Sequence, residues 1–404
     1  MGVLSIGKLA AGQEAYYLGK VANGIEDYYV GGGEAEGRWT GSGAATLGLH
    51  GTVESDQLQA MLAAKNPASG QPLQDREQTL SGPGFDLTFS APKSVSLLWA
   101  FGDDRVRSQV VAAHEAAVDQ ALGHLERHAI LARRGAGGGT FLPAPNLIGA
   151  AYRHRTSRAG DPQIHTHVLV SKLVQATDGR WTCLHSPSLY ANAKTAGFLY
   201  QAELRDQLTR TLGIRWGEVQ RGSASIEGIE EPAEAVFSRR RSEIESAQAT
   251  SGTGTRASWQ SSALETRKAK DTDLEPGELE SDWIKRGAAV GLTPETIRQL
   301  VGPAREAPPV PADPSVLTRA VTEHASHFER RDVIQALCEL APDGAPVIEI
   351  EAAADHYLEA ETVVRIGELP WGAVHTTREI LELERGFLDA TADGQDAGRG
   401  LVTP

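Results

Sequence analysis

Three histidines, His154, His165 and His167, constrain this chain more than anything else in its 404 residues. They fall in residues 146–174, NLIGAAYRHRTSRAGDPQIHTHVLVSKLV, whose two halves read as strands and whose middle reads as a turn. Asn146–Arg155 is apolar before it ends in Tyr152, Arg153 and His154, while His165–Val174 is β-branched and alternating. Between them Ser157, Gly160, Asp161 and Pro162 supply turn chemistry. Residues i and i+2 of a strand share a face, so His165 and His167 point the same way, and antiparallel pairing can bring His154 opposite one of them. Three imidazoles gathered in this way could hold a metal and leave positions open for a substrate oxygen or a water, as a catalytic centre needs. The plain alternative is a half-exposed hairpin with ordinary polar residues, because HxH alone is a common pattern. His154 upstream and the basic flank of Arg153, Arg155 and Arg158 favour the site.

A chain of this length should form two or three domains around a substantial core. Its 40% hydrophobic content, without an apolar run of membrane length, describes a soluble globular protein with no membrane insertion. The start, MGVLSIGKLAAGQEAYY, lacks the apolar run of a secretory signal. Cys183 and Cys338 are too few for a disulfide framework and show no metal spacing, which favours a reducing cytoplasm. The net charge of −14 argues against a nucleic-acid partner only until its distribution is considered. Residues 301–404 carry 8 Lys and Arg against 19 Asp and Glu, whereas residues 127–221 carry 13 against 5. A basic middle around the histidines suits a phosphate backbone.

Along the chain, a short strand (Val3–Ile6) and a helix through GQEAYYLGKVA are expected, with tyrosine pairs at Tyr16-Tyr17 and Tyr28-Tyr29. Such rings can simply pack, but a tyrosine can also attack a phosphodiester, because the phosphotyrosyl bond keeps the energy of the broken link. With a pKa of about 10 its hydroxyl needs a base or a nearby cation. Gly31–Leu47 reads as an ordered loop or a lid offering Trp39 for a base to stack on. Leu80–Ala100 alternates through Phe85, Leu87 and Phe89 and then runs into a helix from Ser90 or Ala91, with Ser90 as cap and Pro92 in the first turn. Asp86 sits inside that strand, either as an edge residue or as a site acid. Val106–Arg134 is expected as one long amphipathic helix whose His114, His124 and His128 lie at the surface or the helix end. Ser188–Leu212 is a second long helix, closed by Gly213.

HRTSRAGDPQIHTH resembles the three-histidine motif of the MobF (TrwC/TraI-type) conjugative relaxases, members of the HUH endonucleases, and GFDLTFSAPKSVS resembles their second block. The resemblance covers roughly residues 4–300. It implies an α+β fold, an antiparallel β-sheet backed by two long helices (an HUH relaxase palm) with a mostly helical C-terminal domain. The activity it implies is nicking of single-stranded DNA at a plasmid transfer origin, followed by rejoining. In that chemistry Tyr16 attacks the scissile phosphate, leaving a 5′-phosphotyrosyl adduct and a free 3′-hydroxyl, and Tyr28 is the second nucleophile. Asp86 would lie beside the nucleophile and a metal histidine, fixing that histidine's tautomer or taking the tyrosine proton. His154, His165 and His167 would carry a divalent ion, magnesium or manganese by resemblance, while ligand chemistry alone favours zinc, manganese or another borderline ion over magnesium for three imidazoles. Lys93, Arg153, Arg155 and Arg158 are candidate DNA contacts. FSRRRSEI and the stretch Ser251–Lys270 resemble the family's segment that wraps the bound strand, which implies phosphate contacts from Arg239, Arg240, Arg267, Lys268 and Lys270. Conjugation accessory and coupling proteins are the further partners implied.

The domain reading is a relaxase domain over 1–305, a proline-rich linker over 306–316 containing EAPPVPADP, and a small helical domain over 317–404. The last resembles the region preceding the motor of fused relaxase–helicases, and no Walker A motif occurs in the chain. Removing residues 310–404 is accordingly expected to leave single-strand binding intact. Two other classes stay open. A three-histidine metal-dependent hydrolytic nuclease would use water and form no covalent adduct, and a non-catalytic single-stranded DNA-binding module would tolerate loss of the histidines.

Overall fold

The computed structural model describes residues 4–9, 37–74, 82–135, 139–251, 276–311 and 313–394. Tyr16, Tyr28, Arg267, Lys268 and Lys270 lie outside the described residues. In chain order the first strands are β1 (Leu4–Lys8) and β2 (Arg38–Thr40), followed by the short helices α1 (Ser42–Thr46) and α2 (Ser55–Leu62) and by strand β3 (Gly84–Ser90). Helices α3 (Lys93–Phe101) and α4 (Asp104–His128) come next, then a small hairpin, β4 (Leu131–Arg134) with β5 (Thr140–Pro143). The histidine hairpin is β6 (Gly149–Thr156) and β7 (Pro162–Ser171), trailed by β8 (Leu173–Gln175), β9 (Trp181–Cys183) and the long helix α5 (Ser186–Leu212).

The main sheet runs β1-β3-β7-β6-β2 with every pairing antiparallel, so the expected histidine strands lie at its centre. Alternation decides what each face does. Phe85, Leu87, Phe89, Ile164 and Val168 are buried in one core with Val110, Ala117, Val118 and Ala121 of α4 and Tyr200, Leu204 and Leu208 of α5. Each such large apolar side chain contributes about 1.5–3 kcal/mol on burial. The two long helices thus back the sheet as expected, and they pack along each other. The other face is partly covered by a smaller core of Trp39, Leu58, Met61, Ile148, Ala150, Tyr152 and Leu169. Trp39 is therefore a buried residue of β2, its indole N–H donating to Gln57, and not a lid aromatic.

Helix ends follow local chemistry. Asp103 caps α4 by accepting from the backbone N–H of Val106 at 2.9 Å. Gly213 closes α5 in the left-handed region (φ 62°), and a Cβ there would stand 2.2 Å from the carbonyl of Pro303. Two boundaries differ from expectation. The helix after β3 begins at Lys93 with Pro92 at its cap, so Ser90 stays in the strand, opposite His165. The expected helix over 106–134 stops at His128, where Ala129 and Ile130 both donate to Leu125 and the chain turns into β4 to pair with β5. Tertiary pairing there overrides the helical periodicity.

After α5 come α6 (Glu231–Val236), α7 (Arg239–Ser251), α8 (Pro276–Ala288) and α9 (Pro294–Leu300). The C-terminal lobe comprises α10 (Pro314–Thr322), β10 (Phe328–Glu329), α11 (Arg330–Leu340), α12 (Val347–Leu358), β11 (Val363–Leu369), β12 (Gly372–Thr377) and α13 (Arg378–Gly394). It is helical as expected, but it also contains a three-stranded antiparallel sheet, β10-β12-β11. Its core takes in Phe198, Leu199 and Ala202 of α5 beside Val333, Leu337 and Ile350. The fully buried Arg205 of α5 donates to the carbonyls of Cys338 and Ala341. Before the lobe, Gly302 donates to Leu212, and Arg305 bonds Asp343 and the carbonyl of Ile214. One helix therefore serves two cores. No helix among the described residues is long and apolar enough to cross a membrane.

Candidate metal centre

The register of the sheet assembles the site. His154 stands directly opposite His165, and His167 stands opposite Thr88 on β3. Pairing slips between His154 and Thr156, so that Arg155 faces both Gln163 and Ile164, an irregularity of the kind that re-aims side chains beside functional sites. The three imidazole centroids are 5.1, 5.2 and 5.2 Å apart, and each ring offers a nitrogen within 4.8 Å of the others. All three are half-buried.

The tautomers are set from outside the cluster. Nδ1 of His167 donates to Asp86, 2.9 Å from Oδ1 and 3.0 Å from Oδ2, and Nδ1 of His165 donates to the Gln163 carbonyl at 2.9 Å. With Nδ1 protonated, Nε2 carries the lone pair, which is the arrangement that metal-bound histidines show. Asp86 reaches His167 because it is the diagonal neighbour across the β3–β7 pair. This donor set, with a carboxylate and a carbonyl behind two of its members, fits a divalent metal ion.

On the opposite face Thr166, between the two β7 histidines, is hydrogen-bonded to Nε2 of His114 at 2.7 Å, and Nδ1 of His114 meets the Tyr200 hydroxyl at 2.8 Å. Burial pushes the His114 pKa down to about 3, so this histidine is neutral. The sequence alone places His114 and His124 at the surface or the helix end. Both are buried, because their face of α4 is covered by α5 and β7 in one case and by α12 in the other.

The turn of the hairpin is fastened as firmly. Gly160 takes φ 71°, and the fully buried Asp161 accepts from the backbone N–H and Nε of Arg239 and from Nη1 of Arg286, all at 2.9 Å. Trp283 donates to the Gly160 carbonyl at 2.8 Å, and Lys93 donates to the Pro162 carbonyl at 2.6 Å. Burial lowers the Lys93 pKa to about 8, partly opposed by the Asp161 charge. Sequence reasoning used Asp161 only as a turn residue and missed Thr88, His114 and Trp283. An acid directly before proline in a turn was the one local signal available for Asp161.

The candidate DNA contacts divide. Lys93 is directed inward to its carbonyl, and Arg153, 10% exposed, is paired with Glu115 of α4 at 2.8 Å. Arg239 is tied to Asp161 while its side chain stays 46% exposed. The guanidinium of Arg155 lies 5.8 Å from the ring centre of Trp99, Arg240 pairs with Glu243 at 3.3 Å, and Arg158 is exposed.

A central antiparallel hairpin presenting three histidines, braced by an aspartate from the next strand and backed by two long helices, defines a metal-dependent centre on a relaxase-like palm. A family model described as TrwC relaxase matches residues 10–290, and the chain belongs to that family. The chain is 32% identical over 355 residues to the multifunctional conjugation protein TraI of Escherichia coli, an alignment covering 81% of this chain and 19% of that protein. The chain thus spans about a fifth of the length of that relative. Among solved structures it is similar to the conjugative relaxase TrwC in complex with oriT DNA, metal-bound (TM-score 0.63) and metal-free (0.62). Both are 28% identical to it, and the matches cover 72% of this chain and 99% of those chains.

Proposed function

We propose that this chain is a conjugative relaxase that nicks single-stranded DNA at a plasmid transfer origin by tyrosine transesterification and rejoins it. The observation that carries this reading is the three-histidine cluster with Asp86 bonded to His167. Tyr16 is the nucleophile: its hydroxyl gives up its proton to solvent as its oxygen bonds to the scissile phosphorus, the bond to the 3′ oxygen breaks, and the leaving 3′ oxygen takes up a proton from solvent. The product is a 5′-phosphotyrosyl adduct and a 3′-hydroxyl, and the reverse attack reseals the strand. Tyr28 serves as a second nucleophile. Both oxygens of Asp86 face the same imidazole nitrogen, which supports its acting as the orienting group of His167 over its acting as the base for Tyr16.

His154, His165 and His167 would hold the ion, which when bound supplies charge to stabilise the developing phosphorane oxygens. Magnesium and manganese follow from the family resemblance, and a three-imidazole set accepts zinc or copper as readily. Arg155, Arg158, Arg240, Arg267, Lys268 and Lys270 are assigned to the phosphates. Conjugation accessory and coupling proteins are the proposed protein partners, and the cytoplasm, consistent with two free cysteines, is the proposed compartment.

The test is to mix the protein with single-stranded transfer-origin oligonucleotides and a divalent metal and to look for an SDS-resistant adduct. Tyr16→Phe should abolish the adduct while DNA affinity stays within a few-fold. Cleavage without any adduct would indicate a hydrolytic nuclease, and binding without cleavage that survives His165→Ala would indicate a non-catalytic module.

A further inference from the structure

A second cluster of metal-ligating side chains lies away from the hairpin, where α4 of the palm meets α12 of the C-terminal lobe. His124 and His128 are one helical turn apart on one face of α4, their ring centroids separated by 5.0 Å. Glu351 of α12 reaches between them, with Oε1 2.6 Å from Nδ1 of His124 and 3.4 Å from Nε2 of His128. Arg127 holds the other carboxylate oxygen at 2.7 Å, which turns Oε1 toward the two imidazoles.

We propose that His124, His128 and Glu351 form a second metal site, of the zinc or cobalt class, that fastens the C-terminal lobe to the palm and is separate from the catalytic histidines. Two histidines at i and i+4 with a carboxylate from another helix make a known ligand set for tetrahedral zinc, and it leaves a fourth position for water. Ligand atoms bound at about 2.0–2.2 Å on a tetrahedral ion stand about 3.3–3.5 Å apart. The distance from Glu351 to His128 already has that value, and the short one to His124 is a hydrogen bond that an ion would replace, the ring proton passing from Nδ1 to Nε2.

Solvent access suits a bound ion as well. The His124 and Glu351 side chains are 1% and 6% exposed, forming a dry inner wall, while His128 at 35% gives the ion its path from solvent. The neighbouring cation Arg330 is paired with Asp355, which reduces its repulsion of an incoming ion.

The experiment uses the full chain carrying His154→Ala and His165→Ala, which silences the catalytic cluster. Equilibrium dialysis against zinc should leave one equivalent bound, and cobalt(II) in its place should give the intense visible bands of tetrahedral coordination. Adding His128→Ala should remove that equivalent and the bands, and zinc should raise the melting temperature only while His128 is present. If the His128 variant misfolds, Glu351→Gln serves the same purpose. No bound zinc in the catalytically silenced chain, or zinc retained after loss of His128 or Glu351, would overturn the proposal.

Discussion

Asp161 and Arg239 are joined twice, the buried carboxylate of the hairpin turn accepting both the backbone N–H and the Nε of the first residue of α7. The same carboxylate accepts from Arg286 near the end of α8, so one side chain between His154 and His165 anchors both ends of the segment 239–286. Asp161→Asn removes the charge while keeping the shape. Loss of a fully buried ion pair costs about 3–5 kcal/mol, and because Arg239 is 46% exposed the cost here should be nearer 2 kcal/mol. A lower melting temperature together with weaker metal binding is expected in a thermal melt and a metal titration. An unchanged metal affinity would show that the turn does not position the histidines.

Asp86→Asn should leave the sheet intact and weaken metal binding by about 10- to 100-fold, because an amide oxygen holds the Nδ1 proton of His167 less strongly than a carboxylate does. Isothermal titration with manganese reads this directly. His165→Ala, which deletes a ligand, should lose bound metal and most nicking.

Stability should fall as the pH is lowered from about 6.5 toward 3. The folded-state pKa of His114 is depressed, so between those values the unfolded chain binds the extra proton and acid favours unfolding. Above 6.5 the contribution is fully present. The slope from this residue approaches about 1.4 kcal/mol per pH unit, and His114→Gln should flatten it in melts followed across that range.

Truncation before residue 310 should not be neutral, contrary to what the proline-rich stretch suggests. It uncovers Phe198 and Leu199 and strips Arg205 of two carbonyl acceptors. The two apolar side chains alone are worth roughly 3–6 kcal/mol at about 1.5–3 kcal/mol each. A lower melting temperature and aggregation by light scattering are expected. An unchanged melt would mean the lobe is only loosely attached.

The strand period, the turn residues and the HxH spacing were enough to specify the histidine hairpin, because strand alternation and antiparallel pairing are local rules that act on adjacent residues. The same holds for the helix cap at Gly213 and for the alternating apolar face of Phe85, Leu87 and Phe89. Tertiary structure decided what lies far apart in the chain. That His114 would stand beneath Thr166, that Asp161 would receive Arg239 and Arg286, and that Glu351 would reach His124 all depend on which elements dock. Docking is set by the summed burial of many apolar side chains along α4 and α5, and no single position carries its signature. Charge followed the same division: composition marked the middle of the chain as basic, but only the packed structure showed Arg153 and Lys93 directed inward, because desolvated groups such as the Pro162 carbonyl and partly exposed acids such as Glu115 need partners that a linear sequence does not name.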